Sequence, residues 1–201
     1  MIELKNATKK FGQNVIFENK NIEFEDGKAY GIIGENGLGK TVLLKTICGY
    51  SVLTSGDVLQ DGKKIREKLN FLEDAGIVIE KPEFMNDYTL YENLEIIKKF
   101  SDKKEEVNLD FWIEFYNISK YSNVKYKHLS LGTKQKMLLI QAFMTKPKVL
   151  ILDECLSGLD DESSIKTIEY IKSCKENGVL ILITSHIKSD LEEICDEIIV
   201  L

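Results

Sequence analysis

The sequence predicts an α/β fold: a parallel-sheet core, an antiparallel β subdomain on its N-terminal side and a helical subdomain inserted into it. Three observations carry this. Apolar runs of strand length recur at Ala29–Ile33, Gly76–Ile79, Val149–Leu152 and Val179–Thr184, and the last two are apolar almost throughout, as strands covered on both faces are. Helical segments separate these runs, so the order is βα repeated. The opening differs: Ile2-Glu3-Leu4-Lys5 and Asn21-Ile22-Glu23-Phe24-Glu25 alternate apolar and polar residues before the turn Asp26-Gly27. That is the pattern of an antiparallel edge with one solvated face.

Helices are expected at Lys40–Cys48, Leu90–Phe100, Ser130–Thr145, Asp161–Lys175 and Lys188–Cys195, with Gly178 as the stop signal of the fourth. Between Lys81 and Leu131 the apolar strands vanish and aromatic residues gather (Phe100, Phe111, Trp112, Phe115, Tyr116), which places the helical subdomain at roughly 81–140. The mixed charges of Lys98–Glu106 suit a solvated helix end or loop. A chain of 201 residues fits a single domain over its whole length.

Composition narrows the function. With 43% hydrophobic and 30% charged residues and only 2 prolines, the chain is a folded protein and not a disordered one. A balance of 27 basic against 33 acidic residues leaves a net charge of −6, so no overall positive field draws in a phosphate backbone, and nucleic acid is not an expected partner. No apolar run approaches the ~20 residues needed to cross a bilayer, and Met1–Lys5 lacks the apolar core of a secretory signal. Cys48, Cys155, Cys174 and Cys195 form no C-x-x-C pair, which favours free thiols in a reducing cytoplasm.

The most specific signal is Gly34-Glu35-Asn36-Gly37-Leu38-Gly39-Lys40-Thr41, which matches G-x-x-x-x-G-K-[ST] between a strand and a helix. The glycines let the backbone fold into a nest of N–H groups at a helix N-terminus, a cradle for polyphosphate. Lys40 then reaches the terminal phosphates and Thr41 ligates Mg²⁺. Val149–Leu152 ends in Asp153-Glu154, which puts two carboxylates at the strand's C-terminal edge, where ligands of α/β sheets gather. Taken alone the pair suits a helix cap or polar loop as well. Beside the phosphate loop, Asp153 is expected to hold the Mg²⁺ shell and Glu154 to polarise a water for in-line attack.

In this order the motifs resemble the P-loop ATPases of the ATP-binding cassette (ABC) family, the nucleotide-binding subunits of ABC transporters, over essentially the whole chain. Leu129-Ser130-Leu131-Gly132-Thr133-Lys134-Gln135 resembles the family signature L-S-G-G-Q at the start of a helix. The resemblance implies that Ser130 and Gly132 bind the γ-phosphate of an ATP held by a second cassette. It implies a D-loop at Ser157-Gly158-Leu159-Asp160, a switch histidine at His186, and an adenine-stacking ring at Phe11, ahead of Gly12. The implied nucleotide contacts also run through Gly34, Asn36, Gly37, Gly39, Lys40, Thr41 and Val42, the last standing where a second hydroxyl residue is common. The family usually has Gln where this chain has Glu80, a position that touches Mg²⁺ and signals nucleotide state. A carboxylate there accepts only, and adds negative charge beside the metal.

Glu80 and Leu131, with Lys81-Pro82-Glu83-Phe84 and Thr89-Leu90-Tyr91-Glu92-Asn93-Leu94, resemble the subset tied to bacitracin and lantibiotic exporters. This implies an Mg²⁺-dependent ATPase that energises a separate permease, exporting a peptide antibiotic or drug. It would dock through the surface around Glu80 and Pro82–Asn93 and lie peripherally on the inner face of the membrane. Pairing with itself or with a second cassette stays open. Cys155 stands where Pro is usual, and Leu201 ends the chain where relatives often continue, as in a minimal or shortened cassette. Two alternatives remain: a soluble ABC ATPase of translation or DNA maintenance, disfavoured by one cassette, no heptad run and negative charge; and a non-hydrolysing regulatory module, suggested by Glu80, Leu131 and Cys155.

Overall fold

The computed structural model describes residues 1–35, 37–80 and 84–201. Five strands form a parallel sheet in the order β6-β7-β8-β3-β9: β3 (Ala29–Ile33), β6 (Ala75–Val78), β7 (Val149–Asp153), β8 (Leu180–Thr184) and β9 (Glu197–Val200). A second, antiparallel sheet has the order β2-β1-β4-β5, from β1 (Ile2–Phe11), β2 (Asn14–Phe24), β4 (Ser55–Gln60) and β5 (Lys63–Lys64). The expected parallel core and antiparallel subdomain are both present.

Strand alternation builds two cores on the two faces of the parallel sheet. Tyr30, Ile32, Val149, Ile151, Leu180 and Leu182 face the antiparallel sheet, meeting Ile2, Leu4 and Phe24 of that sheet and Leu43, Leu44 and Ile47 of α1 (Lys40–Ile47). Leu150, Leu152, Ile181 and Ile183 point the other way, into α4 (Leu131–Phe143), α5 (Asp161–Glu176) and α6 (Lys188–Ile194). Helix α4 crosses β6 so closely that a Cβ at Gly76 would lie 2.0 Å from the Ala142 carbonyl oxygen.

Between β6 and β7 the chain is helical, with α2 (Leu90–Phe100), α3 (Leu109–Phe115) and the first part of α4. Thr89 and Glu92 close a reciprocal cap at the start of α2 through bonds of 2.7 and 3.2 Å. Aromatic residues bind this segment to the core: Trp112 packs edge-on against Tyr170 at 5.0 Å, and Tyr116 shares a hydrogen bond of 3.0 Å with Thr167.

The differences from expectation are local. Strand β2 is longer than its alternating stretch, since Asn14–Ile22 continues the pairing with β1. Ser130 lies outside α4 as its N-cap, accepting from the Thr133 amide, and α4 ends at Phe143 because the Lys146 backbone turns left-handed (φ 47°). Strands β4 and β5 had no apolar run to announce them, and their pairing partners make them strands; β9 carries the short run Ile198–Val200 and pairs in parallel with β3. Lys81, Pro82 and Glu83 of the expected docking segment, and Asn36 of the phosphate loop, lie outside the described residues.

Candidate functional site

The C-terminal ends of β3, β7 and β8 converge on one edge of the parallel sheet. From β3 the chain turns through the glycine-rich loop into α1, whose N-cap is Gly39 at φ 94°. A Cβ at Gly39 would lie 2.2 Å from Ile16 of β2, so the turn tolerates no side chain in either conformation or space. Lys40 is buried, and its ammonium donates to the carbonyls of Gly34 (2.7 Å) and Glu35 (3.3 Å). The positive charge is therefore held against the loop backbone. Val42 is partly buried and packs against the core beside Leu43 and Leu44.

From this loop a hydrogen-bonded line runs across the sheet edge. Thr41 Oγ1 lies 2.6 Å from Asp153 Oδ2, and Thr184 Oγ1 lies 2.6 Å from Asp153 Oδ1. The Glu154 amide donates to Thr184 Oγ1 at 2.9 Å. His186 Nε2 then sits 2.7 Å from Glu154 Oε1. Glu154 occupies the left-handed region at φ 47°, an uncommon backbone for a non-glycine residue and one that turns its side chain out of the strand direction. Thr41, Glu80, Gln135, Asp153, Glu154 and Ser157 line a cavity of about 270 Å³ beside it.

The chemistry of the donor set fits Mg²⁺. Thr41 and Asp153 present hard oxygens 2.6 Å apart, and a hydroxyl that donates its proton to a carboxylate keeps its lone pairs for a cation. Mg²⁺ is characteristically held by one or two such protein oxygens together with substrate phosphates. Glu80 borders the same cavity, but its side chain is engaged by an ion pair with Lys45 of α1, so the expected metal ligand is held by a cation from the phosphate-loop helix.

Of the signature, only its last residue, Gln135, lines this cavity among the described residues. Ser130 caps α4 and Leu131 is 75% exposed, while Gly132 approaches the D-loop, where a Cβ would lie 3.0 Å from the Gly158 carbonyl oxygen. Asp160 caps α5 and pairs with Lys136 of α4 at 2.7 Å; the ammonium and the Ser163 amide hold its carboxyl well below the usual carboxylate range. Phe11 ends β1 half-exposed, with Lys9 Nζ 4.4 Å from its ring centroid. Cys155 is fully buried and its thiol is pushed up to about 12, which makes it an inert packing residue.

Two residues at the site had no motif to mark them: Thr184 bridges both acids, and Lys45 holds Glu80. Gln135, which ends the signature stretch, donates through Nε2 to the Cys155 carbonyl at 2.7 Å and pins the turn after Glu154 to the signature helix. The one available signal was at Thr184, a hydroxyl ending an otherwise aliphatic strand two residues before His186.

Fold and site together define a nucleotide-binding cassette, and comparison with known proteins gives the same class: residues 17–157 match the ABC transporter family. The chain belongs to that family, as an ATP-binding ABC ATPase subunit. Among its relatives is the bacitracin transport ATP-binding protein BcrA of Enterococcus faecalis, 34% identical over 98% of this chain and 65% of its own length. The uncharacterized ABC transporter ATP-binding protein YybJ of Bacillus subtilis is 32% identical over 98% of the chain and 90% of its own length. The lantibiotic transport ATP-binding protein SrtF of Streptococcus pyogenes is 31% identical, with 98% and 84% covered. An ATP-binding subunit of an ABC transporter superposes with a TM-score of 0.89 at 23% identity, covering all of this chain and 85% of that one. The dimeric post-hydrolysis state of the cassette MJ0796, bound to ADP and Pi, gives 0.84 at 23% identity, covering 100% and 94%. Among the described residues no helix is long and apolar enough to cross a membrane.

Proposed function

We propose that the chain hydrolyses Mg-ATP between two cassettes and so drives a separate membrane permease that exports a peptide antibiotic or drug. The observation that carries the reading is the unbroken line from Thr41 through Asp153, Thr184 and Glu154 to His186 beside the phosphate loop. Lys40 and the loop amides, including those of Gly34, Asn36, Gly37 and Gly39, hold the β- and γ-phosphates, and Phe11 stacks on adenine. Thr41 and Asp153 would hold Mg²⁺, with Glu80 beside it; a cation there would supply charge neutralisation for the phosphates during transfer. Glu154 orients and deprotonates the attacking water, and His186 fixes both Glu154 and the γ-phosphate. Ser130 and Gly132 close over the ATP of the opposite cassette, with Asp160 in the loop by which the two sense each other.

Residues 1–201 form one ATP-binding domain in this reading, with the helical subdomain inserted between β6 and β7 at roughly 81–140. A peptide antibiotic as the cargo is favoured by the bacitracin and lantibiotic transport for which BcrA and SrtF are named. Exposed Met85, Tyr88 and Tyr91 lie along the expected permease-docking surface, on the inner face of the membrane.

The test is Glu154→Gln, followed by phosphate release and by light scattering on size-exclusion fractions with and without Mg-ATP. We expect turnover to fall by about 100-fold or more, as for loss of a catalytic base, and the mass to double from 23.0 kDa only with Mg-ATP. Full turnover in the variant would overturn the assignment of Glu154. A persistent monomer with ATP bound would overturn self-pairing and point to a second, different cassette.

A further inference from the structure

Thr184 is 1% exposed, and the β7–β8 register sets it directly opposite Asp153. Its hydroxyl oxygen has two partners, Asp153 Oδ1 at 2.6 Å and the Glu154 amide at 2.9 Å. A carboxylate oxygen only accepts and an amide N–H only donates, so the one hydroxyl proton goes to Asp153 and a lone pair receives Glu154 N–H. Both partners are satisfied in a single rotamer, with no freedom to exchange them.

The consequences differ for the two acids. Asp153 has its other oxygen bonded to Thr41, so its carboxylate is tied on one side to the phosphate-loop helix and on the other to β8. Glu154 holds an uncommon left-handed backbone, and the bond from Thr184 meets it at its own amide. Its carboxylate is met by His186, two residues beyond Thr184. One short segment of chain therefore grips Glu154 at both the backbone and the side chain.

We propose that Thr184 is a positioning residue for the reaction: its hydroxyl sets the Asp153 carboxylate for the cation and locks the Glu154 turn in register with His186. The proposal rests on the catalytic reading of Asp153 and Glu154 given above. A hydroxyl at this place links the strand that leads into His186 to the water-activating acid, so a shift of that strand would reach Glu154 through its main chain as well as through the imidazole.

The experiment compares Thr184→Val, which keeps the shape and removes the hydroxyl, with Thr184→Ser, which keeps the hydroxyl. Steady-state kcat, KM for ATP and the Mg²⁺ concentration giving half-maximal rate are measured for each, beside Glu154→Gln. For Thr184→Val we expect kcat to fall about 30-fold and the Mg²⁺ requirement to rise about fivefold, with KM for ATP within about twofold, as when a transition-state contact is lost. Thr184→Ser should return kcat to within about threefold of the parent. Parent-like kcat and Mg²⁺ requirement in Thr184→Val overturn the proposal, as does a Ser variant no better than Val. An equal loss of ATP binding and turnover in a folded Val variant makes the role structural and also overturns it. Should Val fail to fold, Thr184→Ala must show the same split. Full turnover in Glu154→Gln overturns the underlying site reading; an inactive Glu154→Gln beside a normal Thr184→Val overturns the Thr184 role alone.

Discussion

The edge of the parallel sheet and the signature end of α4 differ in how their polar groups are satisfied. At the sheet edge Thr41, Asp153, Thr184, Glu154 and His186 close their hydrogen bonds on one another, and Lys40 closes its own on the loop carbonyls of Gly34 and Glu35. At the signature, Ser130 spends its side chain on capping α4 and Leu131 stands 75% exposed, next to a D-loop that Gly132 touches. The first region is organised by strand register and needs no other molecule to hold its geometry. The second is a surface whose proposed work is done against a different cassette. The lesson is that the two halves of the proposed site should fail in separable ways.

The largest separation is expected from Lys40→Met. Losing a buried, charge-assisted phosphate contact should weaken ATP binding to the isolated chain by about 100-fold. Titration with a fluorescent ATP analogue checks this, and undiminished affinity would mean that the loop amides alone supply binding. Gly132→Ala should act on the other half. Its Cβ would press to 3.0 Å on the Gly158 carbonyl, in a surface proposed to act on the ATP of the opposite cassette. In the Glu154→Gln background, ATP-driven pairing should weaken about tenfold while single-chain ATP affinity stays within about twofold. Equal losses in both assays would erase the distinction between the regions.

The smallest effect belongs to the link behind the signature, Lys136 with Asp160. The Asp160 carboxyl is 57% exposed, so screening limits the pair, and Lys136→Met should cost below about 1 kcal/mol of unfolding free energy. The folded pKa of Asp160 is depressed, so this increment is present at neutral pH and is lost as pH falls below the ordinary carboxylate value and through the folded one. Denaturant titrations at pH 7 and near pH 2 should show the parent-to-variant gap shrinking with acid; a constant gap would assign the cost to packing of the Lys136 stem.

Much of the site was legible because it is written in contiguous residues. The phosphate loop needs its glycines, lysine and hydroxyl at fixed spacing, and Asp153-Glu154 announces itself by ending an apolar strand. Caps are local in the same sense: Thr89 with Glu92, Ser130 with Thr133 and Asp160 with Ser163 each lie three residues apart. Glu80 shows the limit of such reading. The substitution was visible, but its partner Lys45 is 35 residues away on α1, so a carboxylate expected to face the metal is engaged elsewhere.

The sequence by itself determined the class of fold, the phosphate cradle and the two acids, because periodicity, capping and loop chemistry act over a few residues. The tertiary structure alone decided that Thr184 meets Asp153 across 31 residues and that Gln135 pins the Cys155 carbonyl across 20. Those bonds depend on which strands are neighbours and in which register. That choice is made by the burial of Leu150, Leu152, Ile181 and Ile183 on one face and of Val149, Ile151, Leu180 and Leu182 on the other. A one-residue slip would exchange those faces and take Thr184 away from both acids.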